Sequence, residues 1–258
     1  MKRKEIKRGY KEDRRRLRED YTRGKKAIKE RFYSDIEALY DKEGSKIVNP
    51  PFRSSLEEIG NSVTHLVGAV FSVVAFLLMC ASADRALETV SAVIYFVGLF
   101  AMFTNSCLYH AFPYGSTVKR LFRRFDYSSI YLLIGATFAP ILLSYIGGTL
   151  GVVYLVIQWT VIVTGITLVA VFGPTRLRFI HIPLYVILGW CGLVFIPNMI
   201  SARDYGFLAY ILGGGVIYSL GIIPFALKKR AAHFIWHFFV LAGAVVQWIG
   251  VYLTVYSV

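Results

Sequence analysis

The chain is poor in charge over most of its length. Of its 258 residues, the last 198 hold only 11 Lys or Arg and 4 Asp or Glu. A soluble domain carries about a quarter of its residues as charges, so this stretch is not built for water. Cysteine is scarce too. Cys80, Cys107 and Cys191 are odd in number, lie in apolar runs and lack paired metal-ligand spacing. That excludes a disulfide framework, and the three are expected to be small buried hydrophobes. A cleavable signal peptide is not expected, because the first 46 residues are charged and contain no apolar core. The first apolar segment is then expected to direct insertion itself.

What is present is segregated. Residues 1–60 hold 18 of the 29 basic and 12 of the 16 acidic side chains, a net charge of +6. This predicts two parts, a basic arm over residues 1–50 and a membrane domain over 51–258. Seven stretches in the second part are near the roughly 20 residues needed to cross a bilayer. They are read at Ser62–Ala81, Val90–Phe112, Tyr127–Tyr145, Leu150–Phe172, Phe179–Ile196, Tyr205–Leu227 and Phe234–Val255, and none contains Lys, Arg, Asp or Glu. In lipid the backbone must satisfy its own hydrogen bonds, so runs of this length are helices. The fold expected is all-α, a seven-transmembrane helix bundle. Pro140 and Pro183 are tolerable breaks, and Gly213-Gly214-Gly215 would let the sixth helix approach a neighbour closely.

Loop charge sets the expected orientation. Loops two, four and six carry nine basic residues, whereas loops one, three and five carry only Arg85 and Arg203. The positive-inside rule places the even loops, the arm and the N-terminus in the cytoplasm and the C-terminus outside. A multi-pass protein of the cell membrane is expected.

Orientation gathers the polar residues. His110 ends the second stretch, Asp126 opens the third, and His233 and His237 open the last. All share one depth near the cytoplasmic face, where ionisable groups are costly and usually functional. Two histidines at i, i+4 lie on one helix face and can reach one ion. Three imidazoles with a fourth position left to water form a catalytic type of zinc site. Ser106, one turn before His110, could hold water or a ligand, and Asp126 could move a proton or orient a histidine. Depth alone does not choose the ligands, since His65 and His181 also sit at cytoplasmic helix starts. The soluble zinc-protease signature has Glu after its first His, and here that position is Phe234.

Several motifs together resemble one family. They are EEIGNSVTHLVGA (57–69), SCLYH (106–110), DYSSIYLLIGATFAP (126–140), GGVIYSLGIIPFALKK (214–229) and HFIWHFFVLAG (233–243). Over residues 55–258 the chain resembles the hemolysin III / progestin and adipoQ receptor (PAQR) family of seven-helix membrane proteins. The resemblance implies Zn2+ bound by His110, His233 and His237, with Asp126 and Ser106 close to the metal or its water. It also implies an inside N-terminus. The chain departs from the pattern at Phe234, where many bacterial members carry Glu. Some members and their wider superfamily resemble ceramidases or other lipid amide hydrolases. Others are described as hormone receptors, and bacterial namesakes as haemolysins.

Three function classes follow. The first is hydrolysis of a membrane-lipid amide or ester, with a fatty acyl or sphingolipid substrate. There Asp126 shuttles the proton and Ser106 positions water or substrate. The second is a receptor or regulatory protein with a structural zinc, and the third a haemolysin-type pore or transporter. No charged residue lies in mid-membrane to line an ion path, which speaks against the pore. Glu58, Asn61 and His65 have no evident chemical task. Hydrogen bonds between the first and last helices, or to the interface, are expected of them, with lining of the cytoplasmic entrance as the alternative. His181 is expected at headgroup level.

The arm hides an 11-residue repeat. Ile6, Leu17, Ile28 and Leu39 are 11 apart, as are Tyr10, Tyr21 and Phe32. Eleven residues make three helical turns, so each set stays on one stripe. A long amphipathic helix is expected, with interruptions at Gly9 and Gly24 and a linker from Gly44 to Pro51. It could lie on the anionic inner leaflet, pair as a right-handed coiled coil, or stand solvated with a thin apolar edge. Interleaved acidic residues speak against nucleic acid as a partner.

Overall fold

The computed structural model describes residues 2–42, 51–227, 229 and 231–257, and it divides into two units, Met1–Phe52 and Arg53–Val258. The expected linker, Pro51 apart, and Lys228 and Arg230 of loop six lie outside the described residues.

The first unit contains one helix, α1, Lys2–Lys42. It runs unbroken through Gly9 and Gly24, against the expected interruptions. An isolated glycine costs an α-helix only about 1 kcal/mol, too little to stop one this long.

In the second unit, seven helices are long and apolar enough to cross a membrane. They are α2 (Ser55–Ser82), α3 (Ala86–Ala111), α4 (Thr117–Pro140), α5 (Gly148–Phe172), α6 with α7 (Arg178–Trp190 and Ile196–Ser201), α8 (Tyr205–Ala226) and α9 (Ala232–Val251). The described residues contain no strand. A π-helical turn, Ile141–Ile146, extends α4 beyond Pro140, and another, Tyr252–Tyr256, extends α9. A 3-10 turn, Cys191–Phe195, joins α6 to α7.

The helices begin before the apolar stretches do. The first spanning helix starts at Ser55 because Ser54 and Glu57 form a reciprocal capping box. Such a cap stabilises a helix start by about 1 kcal/mol. Helix α4 starts at Thr117, where the Ser116 hydroxyl accepts from the Lys119 amide at 3.1 Å. Hydropathy misses these first turns because their polar side chains are satisfied by the protein.

The core joins α2, α3, α4 and α9 around Tyr95, Leu99, Met102, Phe103, Ala136 and Val240, all buried. Around it, large apolar side chains such as Val70, Leu77, Val156 and Val163 are exposed, as a surface meeting lipid requires. Without a hydrophobic drive between helices in lipid, close backbone packing must hold the bundle. Gly68 provides it beside the histidines, since a Cβ there would lie 2.3 Å from the Phe103 ring. Of the three-glycine run, Gly214 makes the close approach, to Gln247 and the Gly243 carbonyl on α9.

Candidate metal centre

The i, i+4 spacing sets His233 and His237 on one face of the first turns of α9, with ring centroids 4.9 Å apart. His110 reaches them from the last turn of α3, at 5.2 Å from His233 and 4.8 Å from His237. The Nε2 atoms of His110 and His233 are 3.4 Å apart. One nitrogen from each of the three rings lies within 4.8 Å of the other two. His110 and His237 are buried and His233 is half-buried. The three together could hold a metal ion.

Helix α2 decides which nitrogens face inward. Glu58 Oε2 sits 2.6 Å from Nδ1 of His110, and the Asn61 carbonyl sits 3.2 Å from Nδ1 of His237. A proton on each Nδ1 would leave Nε2 with its lone pair toward the cluster, and the Asn61 amide nitrogen also lies 3.3 Å from Nδ1 of His110. The other Glu58 oxygen pairs with Lys119 at 3.1 Å. Lys119 is fully buried and also donates to the carbonyls of Tyr109 and Phe112, at 2.8 and 3.0 Å. It closes the C-terminal end of α3, where backbone carbonyls lack helical partners.

Two contacts fix the start of α9. The amide of Ala231, a left-handed residue at φ 60, donates to Glu57 Oε1 at 2.6 Å. Gly60 lies under Phe234, whose Cε2 would be 2.9 Å from an added Cβ. The aromatic side chain that breaks the zinc-protease signature thus packs α9 onto α2.

Ser106 and Asp126 are both buried, one on α3 and one on α4. Asp126 is not among the residues whose ligand atoms converge. His65 is not either. It lies flat on His237, with centroids 3.8 Å apart, and meets Phe103 edge-on at 5.3 Å. Asn61 joins the first and last spanning helices only through its backbone carbonyl at His237, and its side-chain amide lies 3.3 Å from Nδ1 of His110. The bond from Glu58 to His110 runs instead to the second, and sequence reasoning had no task for it. His181, in the first turn of α6, is fully buried, with Nδ1 2.9 Å from the Tyr131 hydroxyl.

A cavity of about 130 Å3 lies between α3, α4, α6, α8 and α9, and none of His110, His233, His237, Ser106 and Asp126 lines it. Its wall is mostly apolar and includes Ile134, Phe225, Trp236 and Val240. The Phe225 ring lies 6.1 Å from that of His233.

A family model described as haemolysin-III related matches residues 53–248. The chain belongs to that family. It is 36% identical over 193 residues to Hemolysin-3 of Bacillus cereus, covering 73% of this chain and 87% of that protein. It is 32% identical over 192 residues to a Hemolysin-3 homolog of Bacillus subtilis (strain 168), covering 73% and 89%. To the human monocyte to macrophage differentiation factor it is 28% identical over 211 residues, covering 78% and 85%. The seven helices and the family together make this haemolysin-III protein a multi-pass membrane protein. The match begins at residue 53, so the α1 arm lies outside it.

Proposed function

We propose that the protein is a zinc-dependent hydrolase of lipid amides or esters. The observation that carries this reading is the convergence of three imidazoles in a bundle that also holds an apolar cavity. Two nitrogens bound to one tetrahedral zinc at about 2.0–2.1 Å lie roughly 3.3 Å apart. The 3.4 Å between Nε2 of His110 and Nε2 of His233 fits that spacing. Three nitrogen ligands with a place left over suit a catalytic rather than a closed structural site.

His110, His233 and His237 would hold the ion. Zinc supplies Lewis acidity, which polarises a carbonyl and makes water acidic near neutral pH. The chain's own side chains do the rest. Glu58 and the Asn61 carbonyl keep two imidazoles oriented and in one tautomer. Asp126, buried in the bundle, takes a proton at a carboxylate oxygen and returns it to the leaving amine or alcohol, and Ser106 positions water or substrate. The cavity takes an acyl chain and keeps water from it. The nine basic residues of the even loops support a cytoplasmic position for this end.

The test is release of free fatty acid from a panel of lipid amides and esters by purified, zinc-loaded protein. Turnover that His110→Ala abolishes supports the reading. A zinc-loaded protein inert across the panel overturns it.

A structural zinc in a receptor or regulatory protein is favoured by one observation. The ion would join α3 to α9, both of which also pack on α2. In that case chelation lowers thermal stability and no lipid is turned over.

A further inference from the structure

The proposed chemistry leaves α1 without a role, yet its surface is ordered. In an 11-residue, three-turn repeat each residue advances about 98°. Leu17 and Ile28 then share one line, and Tyr10 and Tyr21 share a second about 33° away. All four side chains stand out from the helix, between 70% and 73% exposed. The strip they form is narrow. An apolar face that beds into a broad surface spans roughly 100° or more, whereas the seam between two paired helices is narrower.

Over residues 13–25 the charges beside the strip are sorted by sign. Arg14, Arg18 and Lys25 fall on one flank, and Asp13 and Asp20 on the other, with Arg31 ending the acidic run. The ion pairs among the arm's described residues lie on the opposite face: Arg8–Glu12 at 3.3 Å, Arg15–Glu19 at 3.5 Å and Lys26–Glu30 at 3.6 Å. They support the helix without using the flanks. When two copies of a helix pair in parallel, opposite flanks meet; when they pair antiparallel, like flanks meet. Parallel pairing sets the basic flank of each copy against the acidic flank of the other. Antiparallel pairing sets like charge on like, which is unfavourable.

We propose that α1 docks on the α1 of a second copy as a parallel coiled coil. The 11-residue period makes its supercoil right-handed. The arm then ties two membrane domains together through a surface separate from the histidine site.

The experiment uses the full chain in neutral-lipid vesicles, with Cys80, Cys107 and Cys191 replaced by alanine. Tyr10→Cys and Ile28→Cys are made in chains of two different lengths, and mild oxidation reads which pairs form. Each cysteine is expected to cross-link to its own counterpart and not to the other, which lies about 27 Å along the helix. Arg15→Cys, on the far face, is expected to stay monomeric. Adding Leu17→Glu to Tyr10→Cys should abolish the cross-link and leave the thermal unfolding of the membrane domain unchanged. A mixed Tyr10–Ile28 cross-link, or none at all, overturns the proposal. So does a fluorophore on Leu17→Cys that shifts to the blue on phosphatidylserine vesicles while no dimer forms, since the strip would then bind lipid.

Discussion

Glu58 Oε2 lies 2.6 Å from Nδ1 of His110, across 52 residues of sequence. A carboxylate on the far side of a ligating imidazole raises its basicity and fixes its rotation, and loss of such partners costs about 10–100-fold in metal affinity. Glu58→Gln is therefore expected to weaken zinc binding by about that factor while leaving one site per chain. Competition with a chromophoric chelator measures it. An unchanged affinity would show that Glu58 only packs.

The histidines themselves should behave differently. His237→Ala removes a ligand, so purified protein should lose its bound metal rather than hold it more weakly. Metal analysis beside the parent protein reads this directly. In the parent, zinc at 100 times its dissociation constant should add about 2.7 kcal/mol to stability, and a chelator should remove it. A melting temperature indifferent to chelator in the parent, and to the variant, would count against a site here.

Much of this was legible in the sequence, for identifiable reasons. A bilayer needs long apolar runs, so the seven helices could be placed from hydropathy. Their starts could not, because the first turns of α2 and α4 are polar and are held by Ser54, Glu57 and Ser116. The i, i+4 histidine pair is a local pattern, and local patterns survive in one dimension. Glu58 and Lys119 act through partners on other helices, which spacing does not reveal. Lys119 counted toward loop charge in the sequence, yet it is fully buried in the structure. The burial of His181 against Tyr131 is likewise a contact between helices that spacing does not reveal.

Asp126 and Ser106 offer a separation of roles. Asp126→Asn keeps the shape and removes the base. If the carboxylate moves the proton, turnover should fall by about 100–10,000-fold. Bound metal should remain at one per chain, since Asp126 is outside the converging group. Parallel metal analysis and fatty-acid release test both halves. Loss of metal together with activity would make Asp126 a ligand instead.

Gly68 should tolerate no side chain. An added Cβ would sit 2.3 Å from the Phe103 ring, which in turn holds His65 edge-on. Gly68→Ala is expected to destabilise the bundle by about 1–3 kcal/mol, the usual cost of overpacking. Thermal unfolding in detergent measures it. Gly213→Ala is the control, because its nearest neighbour would be 4.0 Å away.

The Lys119–Glu58 pair is best tested as a cycle. Lys119→Met leaves the Glu58 carboxylate without its paired ammonium, with Arg53 the remaining nearby cation, and the α3 carbonyls without their donor. Breaking a buried pair from one side typically costs about 3–5 kcal/mol, because a charge is left uncompensated. Glu58→Gln leaves Lys119 with its backbone acceptors, so it should cost less in stability and more in metal affinity. The double variant strands neither charge. Its loss of stability should therefore be smaller than the sum of the two single losses, as expected for residues in direct contact. Melting temperatures of the four proteins without metal give the stability cycle, and zinc affinities give a second. Additive stability losses would mean that the two side chains act independently, despite the 3.1 Å between them.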